Sequence, residues 1–310
     1  MTRPDLSVNL GGLLLSTPIL AASGPLGNSH EYRERFPTAA FGAIITKGVS
    51  FEPWAGNRSP RLAETASGML NAIGLQNPGL KQFLECDLPQ LKDAGPRIIV
   101  NIVGRTVEEY AQVAAALTMA DGVDGIEVNI SCPNIKAGGI AFGTDPGLTY
   151  HVVSAVRCQT ALPLLVKLSP NVTDITVIAR AAEEAGADSL SLINTLAGML
   201  IDIETRQPVL GNIFGGLSGQ AILPVALKMV WQVAEAVSIP LLGMGGISSA
   251  GDALQFIMAG VRAVAVGTAL FYNPELPAAI HEGLSDYMNA HHITSLECLE
   301  GIARKGVGSS

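Results

Sequence analysis

Short apolar runs alternate with longer amphipathic segments along most of the chain. Leu6–Leu10 and Leu13–Ser16 flank Gly11-Gly12, which predicts a β-hairpin, because paired glycines supply the positive φ angles of a two-residue turn. Eight further strands are predicted at Ile19–Ser23, Ala43–Lys47, Ile98–Val103, Ile126–Ser131, Leu164–Ser169, Ser189–Asn194, Pro240–Gly243 and Ala263–Val266. Most are near-continuous apolar runs, as expected of a parallel sheet covered on both faces.

Helices fit between these strands. Thr106-Val107-Glu108-Glu109 has the spacing of a capping box and opens a helix through Ala120. Ala179–Gly186 and Ala250–Gly260 each end a helix at a glycine just before a strand. Eight such alternations predict the α/β class and a (β/α)8 TIM barrel with an N-terminal β-hairpin and long active-site loop insertions. A doubly wound open sheet is the alternative. No break in composition divides residues 1–310, which are read as a single domain. The insertions are Gly48–Pro78, Cys132–Pro146 and Thr195–Pro224, after the second, fourth and sixth strands. Loops of that length are usually functional, and in a barrel they stand at the C-terminal face.

Composition narrows the function. The 310 residues carry 19 basic and 27 acidic side chains, a net charge of −8, and 48% are hydrophobic. That balance excludes a disordered chain. With no Lys/Arg cluster, it also argues against a nucleic-acid partner. The longest uncharged stretch, Leu6–His30, is broken by glycines and by Pro18 and Pro25, so it holds no membrane-spanning helix. Met1–Asp5 has no signal-peptide pattern, and the expectation is a soluble, cytoplasmic protein with no membrane association. The four cysteines, Cys86, Cys132, Cys158 and Cys298, form no C-x-x-C pair, so neither zinc nor an iron–sulfur cluster is expected here.

Polar residues end otherwise apolar strands: Lys47, Asn101, Asn129, Ser131-Cys132, Lys167 and Asn194-Thr195. Each alone reads as a turn. Together they would be costly to bury without a polar ligand to satisfy them. Glycines cluster late, in Gly215–Gly219, Gly243–Gly246 and Gly267-Thr268, where barrels often bind phosphate through backbone N–H groups. Cys132 stands among Asn, Ser and Pro next to a glycine-rich loop, and could serve as nucleophile or base. The other three cysteines read as small buried hydrophobes. Arg58, Arg61, Glu64 and Trp54 read as loop or interface residues. Asn71–Gly79 is either a loop folding amides over a ligand or a turn-rich connector.

These segments resemble a known family. NISCPN (Asn129–Asn134), NAIGLQNPG (Asn71–Gly79), AFGTDP (Ala141–Pro146), VKLSPNV (Val166–Val172), INTL (Ile193–Leu196), TRQP (Thr205–Pro208), GGLSG (Gly215–Gly219), GMGG (Gly243–Gly246) and AVAVGTA from Ala263 are similar to class 1B dihydroorotate dehydrogenase catalytic subunits, in the family's order. The resemblance implies one FMN per chain at the barrel mouth and oxidation of (S)-dihydroorotate to orotate in pyrimidine biosynthesis. It implies Cys132 as the general base at substrate C5, with hydride passing from C6 to flavin N5. Substrate contacts implied are Lys47, Asn71, Ala72, Ile73, Gly74, Leu75, Asn129, Asn134, Asn194 and Thr195. FMN contacts implied are Ser23, Lys47, Gly48, Asn101, Asn129, Lys167, Ile193, Gly219, Gly245, Gly246, Gly267 and Thr268. A cysteine base separates class 1 from the membrane-associated class 2, whose base is serine. The resemblance further implies an electron-transfer subunit carrying FAD and a [2Fe–2S] cluster that reduces NAD⁺, and a homodimer within a heterotetramer.

Rival readings remain open on the sequence. A Schiff-base barrel aldolase would use Lys167 as nucleophile. A dihydrouridine synthase-like FMN barrel would need a basic face that the −8 charge does not suggest. A non-enzymatic scaffold would be expected to lose the strand-end polar set.

Overall fold

The computed structural model describes residues 4–27, 38–92, 95–131 and 142–305. The hairpin pairs β1 (Val8–Leu10) with β2 (Leu13–Leu15), Val8 opposite Leu15. β3 (Ile19–Ala21) and β4 (Ala43–Ile45) begin the barrel, while β5 (Leu62–Thr65) and β6 (Gly68–Asn71) stand outside it. β7 (Arg97–Ile102), β8 (Gly125–Asn129), β9 (Leu164–Lys167) and β10 (Ser189–Leu192) continue it. β11 (Leu196–Gly198), β12 (Ile201–Asp202), β13 (Gln207–Pro208) and β14 (Gly215–Ser218) occupy the insertion after β10. β15 (Leu241–Met244) and β16 (Ala263–Val266) complete the barrel. All eight barrel strands pair in parallel and close in the order β3-β4-β7-β8-β9-β10-β15-β16. The predicted (β/α)8 barrel is thus the fold.

Several strands stop earlier than their apolar runs suggest. β3 ends before Ser23, β4 before Lys47, β8 before Ser131 and β10 before Asn194. The polar side chains that follow, Ser23, Lys47, Ser131 and Asn194, therefore stand just past the ladder, on the rim.

α1 (Leu80–Gln82) and α2 (Leu88–Lys92) flank a π turn at Phe83–Asp87. α3 (Val107–Thr118), α4 (Pro146–Arg157), α5 (Ile175–Glu184), α6 (Leu223–Ala236), α7 (Ala250–Ala259) and α8 (Leu276–Ala290) follow. Thr106 caps α3 by accepting from the Glu109 N–H at 3.2 Å, but the Glu109 carboxylate returns to the N–H of Arg105, one residue before the usual capping-box position. Gly260 caps α7 at a φ of 123°, as its place before β16 predicts.

The hairpin closes the N-terminal end of the barrel. Gly11 packs so tightly on the residue before β10 that an added Cβ would stand 2.5 Å from the Asp188 carbonyl oxygen. Val8, Leu10, Leu13 and Leu15 point into the core, and Asn9 and Leu14 point out. The opposite end is roofed by a sheet that the sequence reading took for loops. It runs β11-β14-β6-β5 and joins the first and third insertions, with Gly216 opposite Asn71. Arg58 adds a second tie, donating to the Gly211 carbonyl at 2.7 Å.

Two expectations are corrected. Cys86, Cys158 and Cys298 are exposed, not buried: all three lie on the solvent side of helical turns. Trp54 lies in the first insertion, outside every strand and helix, but is buried there rather than standing at the surface; it bridges to Asn77 through the backbone, and the Arg105 guanidinium covers its ring at 4.8 Å. Among the described residues no helix is long and apolar enough to cross a membrane, and no group of three His, Cys, Asp or Glu could hold a metal ion.

Candidate active site

The C-terminal ends of the barrel strands and the roof enclose a cavity of about 420 Å³. That is the size of a small-molecule site. From the rim it is lined by Ser23, Lys47, Gly48, Asn101, Asn129, Lys167, Ile193, Asn194 and Thr195. Gly245, Gly246, Gly267 and Thr268 line it from the ends of β15 and β16. Asn71, Ile73, Gly74, Leu75 and Gly219 line it from the roof. Residues more than two hundred positions apart are therefore brought to one space.

Ala72 is the exception. It is fully buried beside Leu70 and Leu210 and faces away from the cavity, because alternate residues past β6 point to opposite sides. Cys132 and Asn134 lie outside the described residues. The Asn71–Gly79 segment divides its labour. Asn71 and Gln76 line the cavity, whereas Asn77 is buried and accepts from Ser50 Oγ (2.9 Å) and the Gly79 N–H (2.9 Å). Its amide fastens the loop and does not reach the ligand space. Sequence reasoning passed over Met69, Ser218, Gln220, Met244, Phe271 and Tyr272, all of which line the cavity. It also passed over Glu127, which interrupts the apolar run of β8 and is fully buried in the barrel.

Two cations reach the space from different strands. Lys167, nearly buried, donates from Nζ to Ser23 Oγ at 3.0 Å across the barrel. Lys47 stands beside the roof. Burial lowers the Lys47 pKa, and the Arg61 charge adds to the effect. Desolvation disfavours the cation, as does a like charge nearby. The unfolded chain therefore holds this proton more tightly, and this group alone makes stability rise with pH. An anion held by Lys47 needs the ammonium form. Its affinity is expected to weaken, as pH rises, at a lower pH than for an ordinary lysine, whose value is 10.5. Titrating anion binding from neutral pH upward checks this. A flat profile into the ordinary lysine range would contradict it.

Backbone donors line the same cavity from the ends of β15 and β16. Among the described residues, the N–H groups of Gly246, Gly267 and Thr268 donate to no backbone carbonyl. Gly246 adopts a φ of +83°, and a Cβ there would stand 2.7 Å from the Cβ of Leu223 at the start of α6. At Gly267 a Cβ would meet only Ala22, at an ordinary 3.6 Å. The protein's own packing therefore does not require glycine at 267, and the free space over it is the cavity. Such a cradle suits an anion.

The sequence is similar to those of known proteins. The family model described as dihydroorotate dehydrogenase matches residues 5–288. A Geobacter sp. (strain M21) protein is 54% identical over 301 residues, covering 97% of this chain and 99% of the relative. Relatives from Alkaliphilus metalliredigens and Desulforudis audaxviator are each 52% identical, over 97% of this chain and 99% and 98% of their own lengths. All three are named dihydroorotate dehydrogenase B (NAD(+)), catalytic subunit.

Proposed function

The chain belongs to the dihydroorotate dehydrogenase family, and from that premise we propose that it oxidises (S)-dihydroorotate to orotate with FMN at the barrel mouth. The observation that carries this reading is the single cavity shared by two lysines, the strand-end amides and the glycine cradle. The residues fit a flavin mononucleotide. The unclaimed N–H groups of Gly246, Gly267 and Thr268 suit its phosphate. Lys167 supplies positive charge for an electron-rich ring. FMN, when bound, supplies the hydride acceptor.

The chain's own groups do the rest. Lys47 holds the substrate carboxylate, and the roof excludes water above it. Asn71, Asn129 and Asn194 offer amides to the ring N–H and C=O groups. Cys132 takes the proton from C5, a role that a cysteine side chain can fill as general base. Asn134, on the same segment, would complete the substrate contacts.

Because the relatives are named catalytic subunits, a partner subunit is part of the proposal. It would carry FAD and a [2Fe–2S] cluster and pass electrons to NAD⁺, with this chain forming the homodimer of a heterotetramer. The purified chain is expected to be yellow and to bleach when dihydroorotate is added anaerobically, while reducing NAD⁺ poorly by itself. A protein that neither retains FMN after reconstitution nor bleaches with dihydroorotate would sink the reading. Brisk NAD⁺ reduction by the chain alone would remove the partner from it.

A further inference from the structure

One buried group has no part in that chemistry. Glu127 lies in the middle of β8, fully buried, and both of its carboxylate oxygens accept hydrogen bonds. Oε2 accepts from Asn101 Nδ2 and Oε1 from Ser191 Oγ, each at 2.6 Å. These donors come from β7 and β10, on either side of β8 and β9 in the barrel.

The contacts beyond Asn101 run in one direction. With its amide nitrogen given to Glu127, Asn101 turns Oδ1 to accept from Asn129 Nδ2 at 3.4 Å. Asn129 Oδ1 then accepts from both the N–H (3.3 Å) and the hydroxyl (2.8 Å) of Ser131. The Ser131 hydroxyl, its proton committed, accepts from Asn194 Nδ2 at 2.5 Å. Asn194 Oδ1 in turn accepts from the Thr195 N–H at 2.8 Å. Every member passes a proton donor toward Glu127, and the chain ends on a carboxyl oxygen that accepts from Asn101. An amide has no intrinsic preference for which end faces a ligand, so its neighbours must decide.

We propose that Glu127 is a positioning residue that sets the donor sense of Asn101 and, together with the Ser131 and Thr195 backbone N–H groups at the far end of the chain, holds the cavity-facing amides as donors. Both oxygen lone pairs of Asn129 are taken by Ser131, so Asn129 meets a ligand with N–H only. Asn101, Asn129 and Asn194 each keep one N–H outside the chain, among the described residues. Three amide donors in the cavity that Lys47 and Lys167 also line select a ligand rich in acceptors, such as a pyrimidine carboxylate with ring carbonyls. The inference rests on the proposed reading of the cavity and deepens it.

The test uses the FMN-loaded protein and orotate, read by the change in flavin absorption on binding. Glu127→Met keeps the side-chain length but offers no comparable acceptor, and is expected to weaken orotate binding about tenfold, the order of one lost hydrogen bond. Glu127→Gln keeps one oxygen for Asn101, while Ser191 turns its hydroxyl to accept. It is expected to restore affinity to within about threefold of the unsubstituted protein. Ser131→Ala cuts the chain three hydrogen bonds away and should weaken binding as Glu127→Met does. It keeps the proposal testable if the methionine variant does not fold. In the double variant the two losses should not multiply, because both break one chain.

Wild-type affinity in Ser131→Ala or Glu127→Met overturns the inference. So do equal losses in Glu127→Gln and Glu127→Met, or losses that multiply. If the unsubstituted protein binds no orotate, the reading of the cavity falls and this inference falls with it. Normal binding in wild type with no effect of the variants overturns the inference alone.

Discussion

Cys132→Ala should leave a yellow protein that binds orotate but is reduced by dihydroorotate about 10²- to 10⁴-fold more slowly, the range for losing a general base. Rapid-mixing measurements of flavin bleaching without oxygen check it. The loss should appear in the reductive half-reaction and not in orotate affinity, because a base acts on the reacting proton and contributes little to ground-state binding. Bleaching at the wild-type rate would show that another group takes the proton. Cys86, Cys158 and Cys298 serve as internal controls. They are exposed on the outer helices, and replacing them should leave bleaching unchanged.

Lys167→Ala is the second large effect. Lys167 is nearly buried and fixed by its bond to Ser23, so its charge sits in a place that water screens poorly. Removing it should lower the flavin reduction potential and slow reduction about 10²-fold, the scale of one lost stabilising group in a preorganised site. Potentiometric titration separates this from simple loss of cofactor, since the retained FMN reports its own potential. An unchanged potential with full FMN occupancy would mean that Lys167 only binds. Trapping of a carbonyl substrate on Lys167 by borohydride would instead favour the aldolase reading.

The barrel was legible because its strands are buried on both faces and so read as uninterrupted apolar runs. β16 matches its predicted span, Ala263–Val266, to the residue. The roof was not legible. β6 and β14 are short, and β14 opens on Gly215-Gly216, so neither has an alternating pattern. Their pairing joins positions some 145 residues apart, which no local window can reveal. The rim residues could be named because a Lys or Asn ending an apolar strand is conspicuous. Ala72 was carried along with its neighbours in NAIGLQNPG, and only its packing against Leu70 and Leu210 shows that it faces away from the cavity. Glu127 had a signal of its own, a carboxylate inside GIEVN, but a charge in mid-strand suggests a ligand contact less readily than one at a strand end.

The roof also fixes an order of events during synthesis. β6 emerges early, yet its neighbour β14 comes only after β7 to β13 have been made. Until then one edge of β6 has exposed backbone groups and no strand beside it. Long-range pairing of this kind forms slowly and late. The ligand space is therefore finished only when most of the chain has left the ribosome, and its cofactor cannot be enclosed before that point. A translational pause before residue 215 should lengthen the interval in which an open β6 edge is available to other chains, and that interval is where aggregation would begin.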